Sequence, residues 1–393
     1  MEKALGHTQR MMRTLKFLLV VLITTALAVE VICRTYLCLH FKAGFFNPSD
    51  VVYAYYPELR TVIGDLNRGD TSKTTLLILG GSVVNDELCD LSSKLEREWN
   101  AQHAKKLKVF SLARNAHNSL DSRYKMQLLQ NYRFDYVFMY HGINDTRANN
   151  CPADVFDKHY RHIQFYDELY VYFRHPEINI TAAPYVLDLL HELWCIKTKR
   201  RPTIPREYYV LNERIFEDVL QQDSTENPAR YKELKERIRQ NRDHIIRSDN
   251  FEEGQDAWLN EGANVKSIST FAANQQFIAT QCRAKGEKLI LFTFAWYLPD
   301  NYNLHDFFMR KLDYNESRWP AELYGKPVNV VKGIAAHNII IEKTAGTDRS
   351  ILFEDFCNLI PKNKLYFDDV CHLSPDGCGF LEKHILAKLE QQK

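Results

Sequence analysis

Five short apolar runs punctuate this chain, and each is followed by a stretch with helical character. The runs are Leu76–Leu79, Leu107–Leu112, Asp135–His141, Lys288–Phe294 and a weaker Ile351–Phe356. They are too short for helices and lack the polar alternation of a half-exposed strand, so they read as strands buried on both faces. Asp86–Asn100, Asp121–Asn131, Ser267–Lys285, Val328–Lys343 and Phe380–Gln391 read as helices. Strands alternating with helices predict an α/β fold, a three-layer α/β/α sandwich around a parallel central sheet.

Two segments depart from this rhythm. Residues 147–261 are charged, aromatic and helical in period, with no clear strand. Tyr160–Phe173, Tyr185–Ile196 and the charged Arg230–Arg247 are its expected helices, and a structureless loop of that length is disfavoured. The segment therefore reads as a helical insertion or cap.

The other departure is at the start. Phe17–Val29 is continuously apolar or small, preceded by Lys3, Arg10, Arg13 and Lys16 against Glu2 alone. That is a signal or signal anchor, with the positive flank kept in the cytoplasm and the rest exported. Ala26-Leu27-Ala28 fits a cleavage site, which would give a secreted product. Against cleavage, apolar residues continue through Val31, Ile32, Tyr36 and Leu39, and a span of about 20 residues fits within Leu15–Leu39. Glu30 and Arg34 are spaced to pair on one helix face. We expect residues 1–40 to be a cytoplasmic tail and single-pass anchor. Phe41–Asp70 reads as a lead-in loop with a short helix, within a catalytic domain over 41–393.

Composition narrows the classes. Lys plus Arg number 51 and Asp plus Glu 50, a formal charge of +1, so no global field points to nucleic acid. Hydrophobic residues at 45% and charged residues at 26% describe an ordinary folded body. Nine cysteines include no CxxC, and no Cys/His cluster has zinc spacing. Cys371 and Cys378 flank a turn sequence, Ser374-Pro375-Asp376-Gly377, and are the best-placed local pair; scattered buried thiols are the alternative. Asn179-Ile180-Thr181 and Asn315-Glu316-Ser317 are glycosylation sequons.

Three loops carry candidate chemistry. In a parallel sheet the carboxyl ends of the strands share one edge, where catalytic groups collect. Ser82 follows Gly80-Gly81 at the end of the first run and would open the next helix; its ordinary use there is as a cap. Asn144, in Gly142-Ile143-Asn144-Asp145 after the third run, is either a turn residue or a donor to a developing oxyanion. Asp369-Val370-Cys371-His372 precedes the last helix. His372 can act as general base and Asp369 can orient it. The Gly-x-Ser-x-Gly elbow is absent. His159 and His162 read as an exposed helix face. Lys197–Arg201 is a basic cluster open to an anionic lipid or glycan. Trp194, Trp258, Trp296 and Trp319 are core or sugar-stacking candidates.

Taken together, these blocks resemble the SGNH (GDSL) hydrolases over residues 74–145 and 265–390. Leu79-Gly80-Gly81-Ser82 matches the first block, with Gly81 where Asp often stands. Gly142, Asn144 and Asp145 match the third, and Asp369 and His372 the fifth. The second block ordinarily supplies a glycine N–H to the oxyanion hole, and Ala116 aligns there. Alanine keeps that role at negative φ and is strained at positive φ. The resemblance implies a flavodoxin-like fold and a Ser82–His372–Asp369 triad. It implies an oxyanion hole of the Ser82 and Ala116 N–H groups with Asn144, and Gly81, Gly142 and Asp145 around the substrate. It needs no metal and no cofactor. It implies an esterase acting on an acyl or O-acetyl ester, in an exported protein on an envelope glycan. Transfer of the acyl group to a sugar hydroxyl and a scaffold that kept the fold are the alternatives. Oligomeric state stays open.

Overall fold

The computed structural model describes residues 2–68, 72–198, 200, 231–232, 235–236 and 261–391. Most of the expected Arg230–Arg247 helix, with Trp258, Lys199 and Arg201, lies outside them. The chain divides into two compact units, Met1–Arg60 with Tyr166–Pro202, and Thr61–Phe165 with Thr203–Lys393.

The larger unit is built on a five-stranded, wholly parallel sheet in the order β2-β1-β3-β4-β5. The strands are β1 Thr74–Gly80, β2 Leu107–Ser111, β3 Tyr136–Tyr140, β4 Lys288–Phe292 and β5 Leu352–Glu354. Leu76 pairs with Val109 on one side and Tyr136 on the other, so β1 is an interior strand. The order is the doubly wound, flavodoxin-like one.

Right-handed crossovers then fix which face each helix covers. The chain steps one way from β1 to β2 and the other way from β2 onward. The Leu91–Gln102 helix therefore covers one face. Ser119–Leu128, Ile268–Lys285 and Pro327–Thr347 cover the other, and Pro375–Glu390 returns to pack beside Leu91–Gln102. Leu76, Ile78, Val109, Phe138, Ile290 and Phe292 meet Leu91, Leu95, Trp99, Leu381 and Ile385 in one buried cluster. Leu77, Leu79, Val137, Met139, Leu289 and Leu291 are buried on the opposite face. Burial on both faces is why these strands read as unbroken apolar runs.

The expected Asp86–Asn100 helix is two helices, Asp86–Cys89 and Leu91–Gln102, broken at Asp90, whose φ is 49°. The cysteine pairing also differs from the sequence expectation. Cys378 is bonded to Cys89, with Cα atoms 5.5 Å apart and a sequence separation of 289. Cys371 is a free buried thiol. Pro375 starts a helix that carries Cys378 away from Cys371 in its first turn. Both sequon amides are engaged: Asn179 Oδ1 accepts from the Ser49 N–H, and Asn315 Nδ2 donates to Asp368.

In the smaller unit, Glu2–Phe41 is one helix, and Arg10–Phe41 is long and apolar enough to cross a membrane. Glu30 and Arg34 pair at 2.6 Å. Glu30 also accepts from the Ala182 and Ala183 N–H groups and the Thr181 hydroxyl, which ties it to the start of the Ala183–Lys197 helix. Cys33 and Leu37 are buried beside it. Apolar residues from Leu15 to Leu22 lie on the surface.

Candidate active site

β1 and β3 flank the point where the strand order reverses, and in such sheets that is where ligands enter. β1 ends on Gly80. A Cβ there would lie 2.2 Å from Val84 Cγ2 and 3.2 Å from the Tyr140 carbonyl, so only glycine lets the chain turn so tightly. The turn leads into a three-residue 3-10 segment, Ser82–Val84, rather than a long helix. Asn85 caps the helix that follows, accepting from the Glu87 N–H. Ser82 is therefore spared that duty.

Its hydroxyl turns instead to His372, with Ser82 Oγ 2.7 Å from Nε2. His372 lies on a tight turn held by the Asp368 N–H donating to the His372 carbonyl. Ser374 caps the last helix, so His372 is free of capping as well. Both Asp369 carboxylate oxygens lie 2.9 Å from His372 Nδ1. A carboxylate there fixes the proton on Nδ1 and leaves Nε2 to accept from the Ser82 hydroxyl.

Asp369 is wholly buried. Burial alone would raise its pKa. The His372 imidazole and hydrogen bonds from His372 and Cys371 outweigh that, and the carboxyl is held below its ordinary value. The Trp319 N–H also donates to it at 3.2 Å, and the Trp319 ring sits 4.5 Å from the His372 ring.

The residues expected to receive an oxyanion come from the loops after β2 and β3. Asn144 is buried, and its Nδ2 donates to the His117 carbonyl at 2.9 Å. The same amide lies against Gly81: a Cβ on Gly81 would sit 2.6 Å from it and 2.9 Å from the His117 carbonyl. Space, not φ, demands glycine at a position where the resemblance puts aspartate. Ala116 has φ 64°, in the left-handed region. That conformation costs an L-residue about 1–2 kcal/mol. Among the described residues, neither the Ser82 nor the Ala116 N–H donates to a protein acceptor.

Gly142 and Asp145 are placed differently. A Cβ on Gly142 would press into the Phe294 ring at 2.5 Å, and its carbonyl accepts from His337 Nδ1. Asp145 is fully buried and accepts from the Ser119 N–H and hydroxyl and the Tyr160 hydroxyl. Burial raises its pKa to about 7. It holds the loops together rather than joining Ser82 and His372.

Other polar groups here carry no sequence signal. Lys125 is buried behind the Ala116 loop, His141 bonds Ser122 at 2.6 Å, and the Arg147 guanidinium stacks on Tyr324 at 4.5 Å. His162 is buried and accepts from the Asp157 N–H, instead of lying on an exposed face.

No protein-family model matches the chain, and no curated protein matches it. Among solved structures it is similar to the lipase/acylhydrolase from Enterococcus faecalis, at 11% identity and a TM-score of 0.36. It is also similar to LAE5, an alpha/beta hydrolase enzyme from the metagenome of Lake Arreo, Spain, at 9% identity and a TM-score of 0.37. Each comparison covers 81% of this chain and 96% of the other. Likenesses this remote carry no statement about chemistry.

Proposed function

We propose that this chain is a serine esterase of the SGNH type, anchored in a membrane by its N-terminal helix. The observation that supports it most is the bonded line Ser82 Oγ, His372 Nε2, His372 Nδ1, Asp369, at 2.7 and 2.9 Å.

In this reading His372 Nε2 takes the Ser82 proton as Oγ bonds to the ester carbonyl carbon. The carbonyl electron pair moves to oxygen, which the Ser82 and Ala116 N–H groups and Asn144 receive. Asp369 stabilises the imidazolium. The intermediate collapses, the carbon–oxygen bond to the alcohol breaks, and His372 returns its proton to that alcohol. Water then attacks the acyl-enzyme, with His372 again as base, and releases the acid and free Ser82. The substrate is an acyl or O-acetyl ester, in keeping with an exported domain that meets envelope or extracellular glycans. Positive residues before the span favour a cytoplasmic N-terminus.

The test is fluorophosphonate labelling of the full chain in detergent. Ser82 should label, and Ser82→Ala and His372→Ala should not. An unlabelled parent protein overturns the reading. Acetyl release with and without an added sugar acceptor separates hydrolysis from acyl transfer. Retention in carbonate-washed membranes tests the anchor.

A further inference from the structure

Ala116 stands in a backbone conformation that suits glycine, at φ 64°. Such conformations persist where the surroundings over-determine them, and here the surroundings can be named. The Lys125 ammonium is 1% exposed and lies 2.6 Å from the Leu112 carbonyl and 2.6 Å from His117 Nδ1. It thus holds residues on both sides of Ala116 at once. An ammonium only donates, so His117 Nδ1 is the acceptor and the ring carries its proton on Nε2. Burial, followed by the Lys125 charge, keeps His117 well below its ordinary pKa, which sustains that neutral form.

The helix that carries Lys125 is itself fixed against the loop. Asn118 accepts from the Leu120 N–H while Asp121 accepts from the Asn118 N–H, a capping box immediately after His117. The His117 N–H donates to the Arg114 carbonyl at 3.2 Å, closing a turn across Ala116, and other ties run to the nucleophile side. Arg114 N–H donates to the Gly80 carbonyl, Asn85 Nδ2 to Asn115 Oδ1, and Asn144 Nδ2 to the His117 carbonyl. Ala116 has no such tie of its own among the described residues; it is the third residue of the Arg114–His117 turn, where positive φ is turn geometry, and that turn is held by what grips the residues on either side.

We propose that Lys125 is a positioning residue: it holds the 112–117 loop so that Ala116 keeps its left-handed turn and presents its N–H to the oxyanion. This rests on the esterase reading above. Lys125 touches no substrate; it does for this chain what a glycine's backbone freedom would do without help.

A two-by-two set of full-length variants tests it, with kcat and KM measured on p-nitrophenyl acetate. The set is the parent, Lys125→Met, Ala116→Gly and the double variant. We expect Lys125→Met to lower kcat about 10- to 100-fold, with KM within about twofold, since only a transition-state contact is loosened. In the Ala116→Gly background the same change should cost less than about threefold, because a relaxed backbone no longer needs the grip. A folded Lys125→Met protein with parental kcat overturns the proposal, as does an equal loss in both backgrounds. If Lys125→Met alone does not fold, the double variant decides. Turnover close to that of Ala116→Gly supports the proposal, and a double variant that also fails to fold overturns it. A parent that neither labels with fluorophosphonate nor turns over overturns the esterase reading, and this proposal with it.

Discussion

Ser82 and His372 are 290 positions apart in the chain, and their Oγ and Nε2 atoms are 2.7 Å apart. The contact needs a sheet that delivers β1 and the segment before the last helix to the same edge. Replacing either partner with alanine should abolish ester turnover; Ser82→Ala should leave the melting temperature little changed, whereas His372→Ala should lower it, since it strips the buried Asp369 carboxylate of its imidazole.

Asp369 should behave differently. It accepts backbone N–H groups from Trp319, Cys371 and His372 as well as the His372 ring. Asp369→Asn should lower kcat by on the order of 10⁴, because the amide favours the wrong imidazole tautomer. Unlike Ser82→Ala, it should also lower the melting temperature. Parallel kinetics and calorimetry check both, and an Asn variant with near-parental kcat would remove Asp369 from the triad.

Gly81→Ala tests whether space governs the nucleophile turn. The added Cβ would meet the Asn144 amide at 2.6 Å and must displace it. We expect kcat to fall by about 10²-fold, the scale of one lost oxyanion donor, with a smaller change in KM. Aspartate at 81 should do at least as much harm.

The Cys89–Cys378 bond joins the helix after Ser82 to the helix after His372. Cys378→Ser should destabilise the fold by about 2–5 kcal/mol. Thermal unfolding with and without reductant measures this. A non-reducing peptide map should recover the Cys89–Cys378 pair, and a Cys371–Cys378 peptide would contradict the structure.

Acid should weaken the larger unit through His337. Its Nδ1 donates to the Gly142 carbonyl, its Nε2 accepts from Ser267, and its ring stacks on Phe271. Burial lowers its pKa to about 4 from an ordinary 6.5. The unfolded chain therefore binds its proton first. The stability His337 contributes is complete above about pH 6.5 and is lost as pH falls towards 4, by roughly 3 kcal/mol. Unfolding midpoints should drop over that window in the parent and less steeply in His337→Gln.

Much of this was legible in the chain. All five apolar runs became strands, because a strand covered on both faces leaves no polar alternation to mislead. The Glu30–Arg34 pair followed from helical spacing alone. Other features were not legible, for identifiable reasons. Spacing pointed Cys378 at Cys371, seven positions away, but the helix that begins at Pro375 turns it to Cys89 instead. Trp319 and Lys125 sit in unremarkable local sequence and gain their places beside His372 and Ala116 only through packing.

The sequence by itself determined the order of the elements, the parallel sheet and the three loops bearing Ser82, Asn144 and Asp369 with His372. These follow from hydrophobic period and turn chemistry, which act over a few residues. The tertiary structure alone decided that Ser82 Oγ meets His372, that Gly81 is required by the Asn144 amide and the His117 carbonyl, and that Ala116 stands at positive φ under the grip of Lys125. Those depend on contacts between segments far apart in the chain, whose geometry is set only once the sheet has closed around its core.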